Sequence, residues 1–166
     1  QYASPKFSGI QVVVNTTAND NKDESVGAGV RFSNKNVLAY VDFIDTVPGG
    51  ASVSANATES AVKVGGKFSA DAFFVGAQFE DAADVTGYDY VHVNAGFMID
   101  KSNIITATVG QAEHVNTSTA DTSSFAIAYD HKMSKQTDVY AAYMDRSSDT
   151  TSAEDSAWAL GIRKKF

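Results

Sequence analysis

Hydrophobic and polar residues alternate along this chain with a period of two. In "SVGAGVRF", Val26, Ala28, Val30 and Phe32 stand against Ser25, Gly27, Gly29 and Arg31. "VLAYVDFID" sets Val37, Ala39, Val41 and Phe43 against Leu38, Tyr40, Asp42 and Ile44, and "VKVGGKF" sets Val62, Val64, Gly66 and Phe68 against Lys63, Gly65 and Lys67. "AFFVGAQFE" and "VHVNAGFMI" repeat the pattern, with Phe73, Val75, Ala77, Phe79 and then Val91, Val93, Ala95, Phe97, Ile99 on the apolar side. Successive side chains of a strand point to opposite faces, so these segments predict strands with two unlike sides. No window of comparable length carries a helical stripe.

The pattern predicts about ten full strands, near residues 9–16, 24–33, 36–45, 58–69, 71–80, 88–99, 103–114, 123–132, 136–145 and 156–166, after a stub at "QYAS". Short connections at "SNKN", "FSADA", "IDKSN" and "HKMSKQ" alternate with long polar ones at "NTTANDNKDE", "DTVPGGASVSANAT", "DAADVTG", "VNTSTADT" and "DRSSDTTSAED". That rhythm belongs to an up-and-down antiparallel meander whose long connections gather at one end. The two prolines, Pro5 and Pro48, fall in connections, where a sheet tolerates them.

The two faces do not divide as core and charged surface. One side carries Val, Ile, Phe and Tyr. The other is rich in small residues (Gly27, Gly29, Gly65, Gly76, Gly96, Ala126, Ala128, Gly161) with interspersed charge at Arg31, Asp42, Lys63, Lys67, Glu80, Arg163 and Lys165. An apolar outside and a polar inside describe a transmembrane barrel with a watery interior, and strands of about ten residues suit a tilted crossing. Aromatic residues near predicted strand ends, at Phe32, Phe43, Phe68, Phe79, Tyr88, Tyr129 and Phe166, suit an interfacial girdle. A soluble β-sandwich is the alternative on alternation alone. No run approaches the roughly 20 apolar residues of a membrane helix. The net charge of −7 argues against nucleic-acid binding, and the absence of cysteine removes disulfides and thiolate metal sites. Gln1 is not a natural translation start, so a processed, cut or truncated chain is expected.

The last third carries a more specific signal. Tyr129-Asp130, then Met133-Ser134-Lys135-Gln136-Thr137, then Asp138-Val139-Tyr140-Ala141-Ala142-Tyr143 are followed by "WALGIRKKF". This series resembles the C-terminal end of the general porins of Gram-negative outer membranes, whose last hairpin runs Tyr-Asp, "LSKRT", "D-x-Y-x-x-Y" and whose chain ends on an aromatic residue. The start, "QYASPKFSGIQVVV", resembles the porin stretch that follows the constriction loop. The resemblance implies an all-β, up-and-down transmembrane barrel. Residues 1–166 would form its C-terminal portion, from strand six of sixteen, with the earlier strands and the constriction loop lying upstream. It also implies an outer-membrane homotrimer in contact with lipid and lipopolysaccharide, and an N-terminal barrel segment or other chains that complete the wall. Trp158, Leu160, Ile162 and Phe166 would be the assembly signal.

The expected function is passive diffusion of ions and small hydrophilic solutes through a water-filled pore. Its expected lining is Arg31, Asp42, Lys63, Lys67, Glu80, His92 and Arg163; among the wall cations of the resembled family, Arg31, Lys63 and Arg163 are the best matches. The alternative is a barrel with a structural, adhesive or receptor role through its acidic loops (Asp20, Asp23, Asp81, Asp84, Asp149, Glu154, Asp155). No catalytic motif is visible, His92, His114 and His131 lack metal-ligand spacing, and neither enzyme activity, a cofactor nor a bound metal is expected.

Overall fold

The computed structural model of the protein describes residues 1–17, 25–46, 59–115, 120–149 and 155–165. One antiparallel sheet contains β1 (Tyr2–Ala3), β2 (Ile10–Thr17), β3 (Ser25–Ser33), β4 (Val37–Thr46), β5 (Glu59–Ser69), β6 (Phe73–Ala82), β7 (Tyr88–Met98), β8 (Asn103–His114), β9 (Thr122–Lys132), β10 (Thr137–Ser148) and β11 (Asp155–Lys164). Each strand pairs with its neighbour in sequence, so the order is the chain order from β1 to β11. The alternation therefore translates into strands almost residue for residue. Two departures stand out. The "DAADVTG" connection contains a helical turn, α1 (Ala83–Thr86), closed by Gly87 in the left-handed conformation at φ 81° with its N–H on the Ala83 carbonyl. And β10 continues through Arg146 to Ser148, into a stretch expected to be loop.

The short connections lie at one end, and small polar side chains close three of them. Asn34 Oδ1 accepts the N–H groups of Asn36 and Val37 at 2.9 and 2.7 Å, and Asp100 Oδ1 accepts those of Ser102 and Asn103 at 2.7 and 2.9 Å. Ser134 Oγ accepts the N–H of Gln136 at 3.2 Å. Local side-chain acceptors of this kind stabilise a tight reversal before pairing resumes. The connection from β1 to β2 turns instead on Ser8 and Gly9, with φ of 50° and 86°. A Cβ at Gly9 would also meet the Ser33 carbonyl at 2.8 Å, so glycine is required there twice over.

The sheet has no enclosed core. Among the described residues only Val13, Ala61 and Ala82 are buried apolar residues. All three share the face that carries Arg31 and Lys63, as the register shows: Val13 opposes Gly29, Gly29 opposes Asp42 and Asp42 opposes Lys63. The side-chain hydrogen bonds that skip a strand, Tyr40 on β4 to Gln78 on β6 at 2.6 Å and Arg163 on β11 to Asp130 on β9 at 2.7 Å, also lie on this face. It is the concave side of a partial barrel. Aromatic rings lie down over glycines there: Tyr40 over Gly65, Phe74 over Gly96 and Tyr140 over Gly161, each closer than 3 Å to where a Cβ would stand. Aromatic covering of strand glycines lets the sheet bend without leaving its backbone unpacked.

Two outcomes follow from these contacts. Gly96→Val would drive a branched side chain into the Phe74 ring and destabilise the folded state by about 1–3 kcal/mol. Gly27→Ala on the same face, where the nearest atom would be at 3.4 Å, should be tolerated. Urea unfolding in detergent micelles, followed by tryptophan fluorescence and gel mobility, compares the two. The Asp100 carboxyl is held below the usual carboxylate range, first by the Ser102 N–H and then by the Asn103 side chain. A depressed folded-state value means that this turn's stabilisation is present above the ordinary carboxylate range and lost as pH falls through the depressed one. Protection of the Ser102 and Asn103 amides against exchange, relative to their intrinsic rates at each pH, should therefore fall in strong acid in the natural protein, and be lower at neutral pH in Asp100→Asn.

Candidate functional site

The convex face is apolar in a band that crosses the ladder obliquely. Its edge on the side of the long connections passes through Phe43 and Val62, which face each other, and then drops two residues to Phe79 and Val91. It drops two more to Val109 and Phe125, and two more to Tyr143 and Trp158. At each step an apolar residue meets a polar one across the rung: Val62 faces Asp81, Val91 faces Gln111 and Phe125 faces Asp145. A boundary that falls one residue per strand, with a rise of about 3.3 Å per residue and a strand spacing of about 4.8 Å, tilts the strands by roughly 35° to the normal of the band. That is the tilt of a membrane barrel. Aromatic residues mark both edges, with Phe43, Phe79, Phe125, Tyr143 and Trp158 on one and Phe32, Phe68, Phe73, Phe97 and Tyr129 on the other. Tyr88, expected in this girdle, belongs to the concave face: it opposes Ala82 and His114 and packs edge-on against the His114 ring at 4.4 Å. On β11, Trp158 and Leu160 are 78% and 84% exposed on the convex side together with Ile162. Phe166 lies outside the described residues.

The seven residues expected to line a pore share the concave face. Asp42, Lys63 and Glu80 stand in one row across β4, β5 and β6. Lys63 Nζ reaches Glu80 at 2.9 Å, and Arg31 approaches Asp42 from β3 at 3.8 Å. Arg163 on β11 binds Asp130 at 2.7 Å and stands 3.7 Å from Asp138, two carboxylates that the alternation also places on this face but that were not singled out from the sequence. His92 lies in the row that runs from Arg31 through Tyr40, Gly65 and Gln78. Lys67 differs from the other cations. Its ammonium rests 4.0 Å above the Phe74 ring, and among the described residues no carboxylate is within ion-pair reach.

These pairs are half-exposed, so each contributes little to stability, about 0–1 kcal/mol. Their main consequence is electrostatic: Arg31, Lys63 and Arg163 are each neutralised by a wall carboxylate, whereas Lys67 is not. Arg146 also faces the concave side, opposite Ser124 and Asp155. Counting by twos beyond Tyr140 and Met144 reaches it, but the polar run that follows reads as loop. Among the described residues no group of three or more His, Asp or Glu could hold a metal. Of the acidic loop residues, Asp81 belongs to β6, Asp84 to α1 and Asp155 to β11, Asp149 follows β10, and Asp20, Asp23 and Glu154 lie outside the described residues.

A band of lipid-facing height on one side and a charged, glycine-rich concavity on the other define a membrane β-barrel wall. The family model of the Gram-negative porins matches residues 1–151, and the chain belongs to that family and hence to the bacterial outer membrane. Its fold is similar to that of the anion-selective porin of Comamonas acidovorans, with a TM-score of 0.82, 13% identity, and 99% of this chain and 58% of that one covered. It is also similar to a loop-deletion mutant of OmpT, an outer membrane protein of Vibrio cholerae, with a TM-score of 0.74, 14% identity, and 98% and 61% covered. A mutant of the Rh. blastica porin matches with a TM-score of 0.70, 18% identity, and 97% and 53% covered. The chain thus spans about three-fifths of the length of the solved porins it matches. Among curated proteins, none matches by sequence.

If the convex band meets hydrocarbon, a charge in its middle is costly and one on the concave side is not. Val64→Arg on β5 should destabilise folding into lipid vesicles by about 2–4 kcal/mol. Gly65→Ser, one residue along and facing inward, crowds Tyr40 but brings no charge into lipid. The arginine variant alone should lose stability more steeply as bilayer thickness increases, read from urea titrations in vesicles of different acyl length.

Proposed function

We propose that this chain forms the larger part of the wall of a water-filled diffusion channel for ions and small hydrophilic solutes. The carrying observation is the concave face, where charges stand in rows with no enclosed core beneath them. A pore needs a radius and a field rather than a reaction centre, and that face has the composition for both. We assign the lining to Arg31, Asp42, Lys63, Lys67, Glu80, His92 and Arg163, and the protein a role as a channel rather than an enzyme. The sheet as described is open, with β1 and β11 at its edges. Strand edges are not left unpaired in hydrocarbon, so further strands close the barrel, from an N-terminal segment of the same protein by family analogy. A homotrimer embedded in lipid and lipopolysaccharide is the corresponding assembly, with residues 1–166 as the C-terminal portion of each barrel and Trp158, Leu160, Ile162 and Phe166 as its assembly signal.

The channel reading predicts ohmic current steps from the full-length protein in planar bilayers; a folded, inserted barrel that gives no conductance would remove it. Because Lys67, among the described residues, has no carboxylate within ion-pair reach, Lys67→Glu should move the reversal potential in a potassium chloride gradient toward cation preference. Arg31→Gln, which also frees Asp42, should move it in the same direction but less, since Asp42 already offsets that charge.

A further inference from the structure

The ion-paired rows leave another part of the concave face untouched. Along β7, Tyr88, Tyr90 and His92 follow one another on that side. Tyr88 is held against His114, the Tyr90 hydroxyl donates to Thr86 Oγ1 of α1 at 3.3 Å, and the two tyrosine rings stand 6.1 Å apart. Arg146 faces them from β10. One register row connects the two walls: His92 opposes Gly110, Gly110 opposes Ser124 and Ser124 opposes Arg146. The next row places Ala112 and Thr122 between Tyr90 and Ser148. The two intervening strands thus offer only small side chains, and the floor is low. Three strand spacings separate the walls, roughly 14 Å between backbones. The depression has a volume of about 890 Å³.

The polar groups around it are unequally committed. Glu80, at one margin, is occupied by Lys63, and the Gln78 carbonyl accepts from Tyr40. Among the described residues no carboxylate is within ion-pair reach of the Arg146 guanidinium, although Asp155 is its register partner on β11. The site therefore presents an available planar cation, two braced aromatic rings and a floor of hydroxyl groups.

We propose that this notch is a solute subsite for a single hydroxylated six-membered ring bearing one carboxylate, a sugar acid; the proposal rests on the channel reading above. The Arg146 fork matches a carboxylate, which it can bind through two parallel N–H donors. The tyrosine rings offer a flat amphipathic surface to the C–H face of a sugar ring. Thr122, Ser124 and the His92 ring nitrogens reach ring hydroxyls that the small floor residues leave room for. Asp155 beside Arg146 repels a second negative charge and so selects one carboxylate over two. A neutral sugar lacks the group that Arg146 recognises, and a short carboxylate lacks the ring.

The test is single-channel recording of the full-length protein in planar bilayers with glucuronate, glucose or acetate added on one side. Glucuronate should interrupt the current in a saturating manner, at concentrations about tenfold below those at which glucose or acetate has any effect, the difference expected from one charge-assisted contact. Arg146→Gln and the double variant Tyr88→Ala with Tyr90→Ala should each raise the required concentration about tenfold, and Arg146→Lys should fall between, while every variant still gives ohmic steps in potassium chloride alone. An uninterrupted current with glucuronate, equal interruption by glucose, or interruption that persists in Arg146→Gln would each overturn the subsite while leaving the channel intact. A protein that inserts without conducting would overturn the channel reading, and the subsite with it.

Discussion

Every feature of this chain depends on the requirement that backbone N–H and C=O groups find partners where water is absent. In hydrocarbon each unsatisfied group costs several kcal/mol, so a wall built of strands must be an unbroken ladder. The sheet from β2 to β11 meets that demand by pairing only consecutive strands. Register follows from it. A slip of one residue would turn Val62, Val64 and Phe68 inward and Lys63 and Lys67 into lipid, so the sidedness of each strand holds the ladder in place. The small polar turns at Asn34, Asp100 and Ser134 then start each return strand in register.

Curvature is the second constraint, and it acts on the concave side. A sheet that closes on itself crowds its inner side chains, and glycine opposite an aromatic ring relieves the crowding while keeping contact area. Gly65, Gly96 and Gly161 serve Tyr40, Phe74 and Tyr140 in this way. The same arrangement shapes the field. Phe74, lying over Gly96, supports the Lys67 ammonium, which among the described residues has no carboxylate in reach while Arg31, Lys63 and Arg163 are paired. Packing that bends the wall therefore also shapes the charge pattern of the concave face.

Much of the fold was legible in the sequence because a two-sided strand in a membrane wall has to alternate. Strand number, boundaries, the short and long connections and the shared face of Arg31, Asp42, Lys63, Lys67, Glu80, His92 and Arg163 all follow from counting by twos. The misses have local causes. Tyr88 reads as a girdle residue by its type, although its parity with Tyr90 and His92 places it inside. Arg146 reads as loop because Ser147, Ser148 and Asp149 follow it, yet β10 carries the alternation as far as Ser148. The helical turn at Ala83–Thr86 is too short to produce a period of its own.

What alternation determines is the side on which each residue stands, because the pleat leaves a strand only two directions. It does not determine which residues stand beside each other, since that depends on the register between strands far apart in sequence. The pairing of Arg163 with Asp130 and Asp138, the isolation of Lys67, and the notch between Tyr90 and Arg146 arise only when the ladder is assembled. The same holds for the tilt: each strand's apolar stretch is visible in the sequence, but its two-residue drop every second strand appears only across the aligned rungs. Residue order settled the two faces of this wall, and the hydrogen-bonded register settled its geometry and its charge pattern.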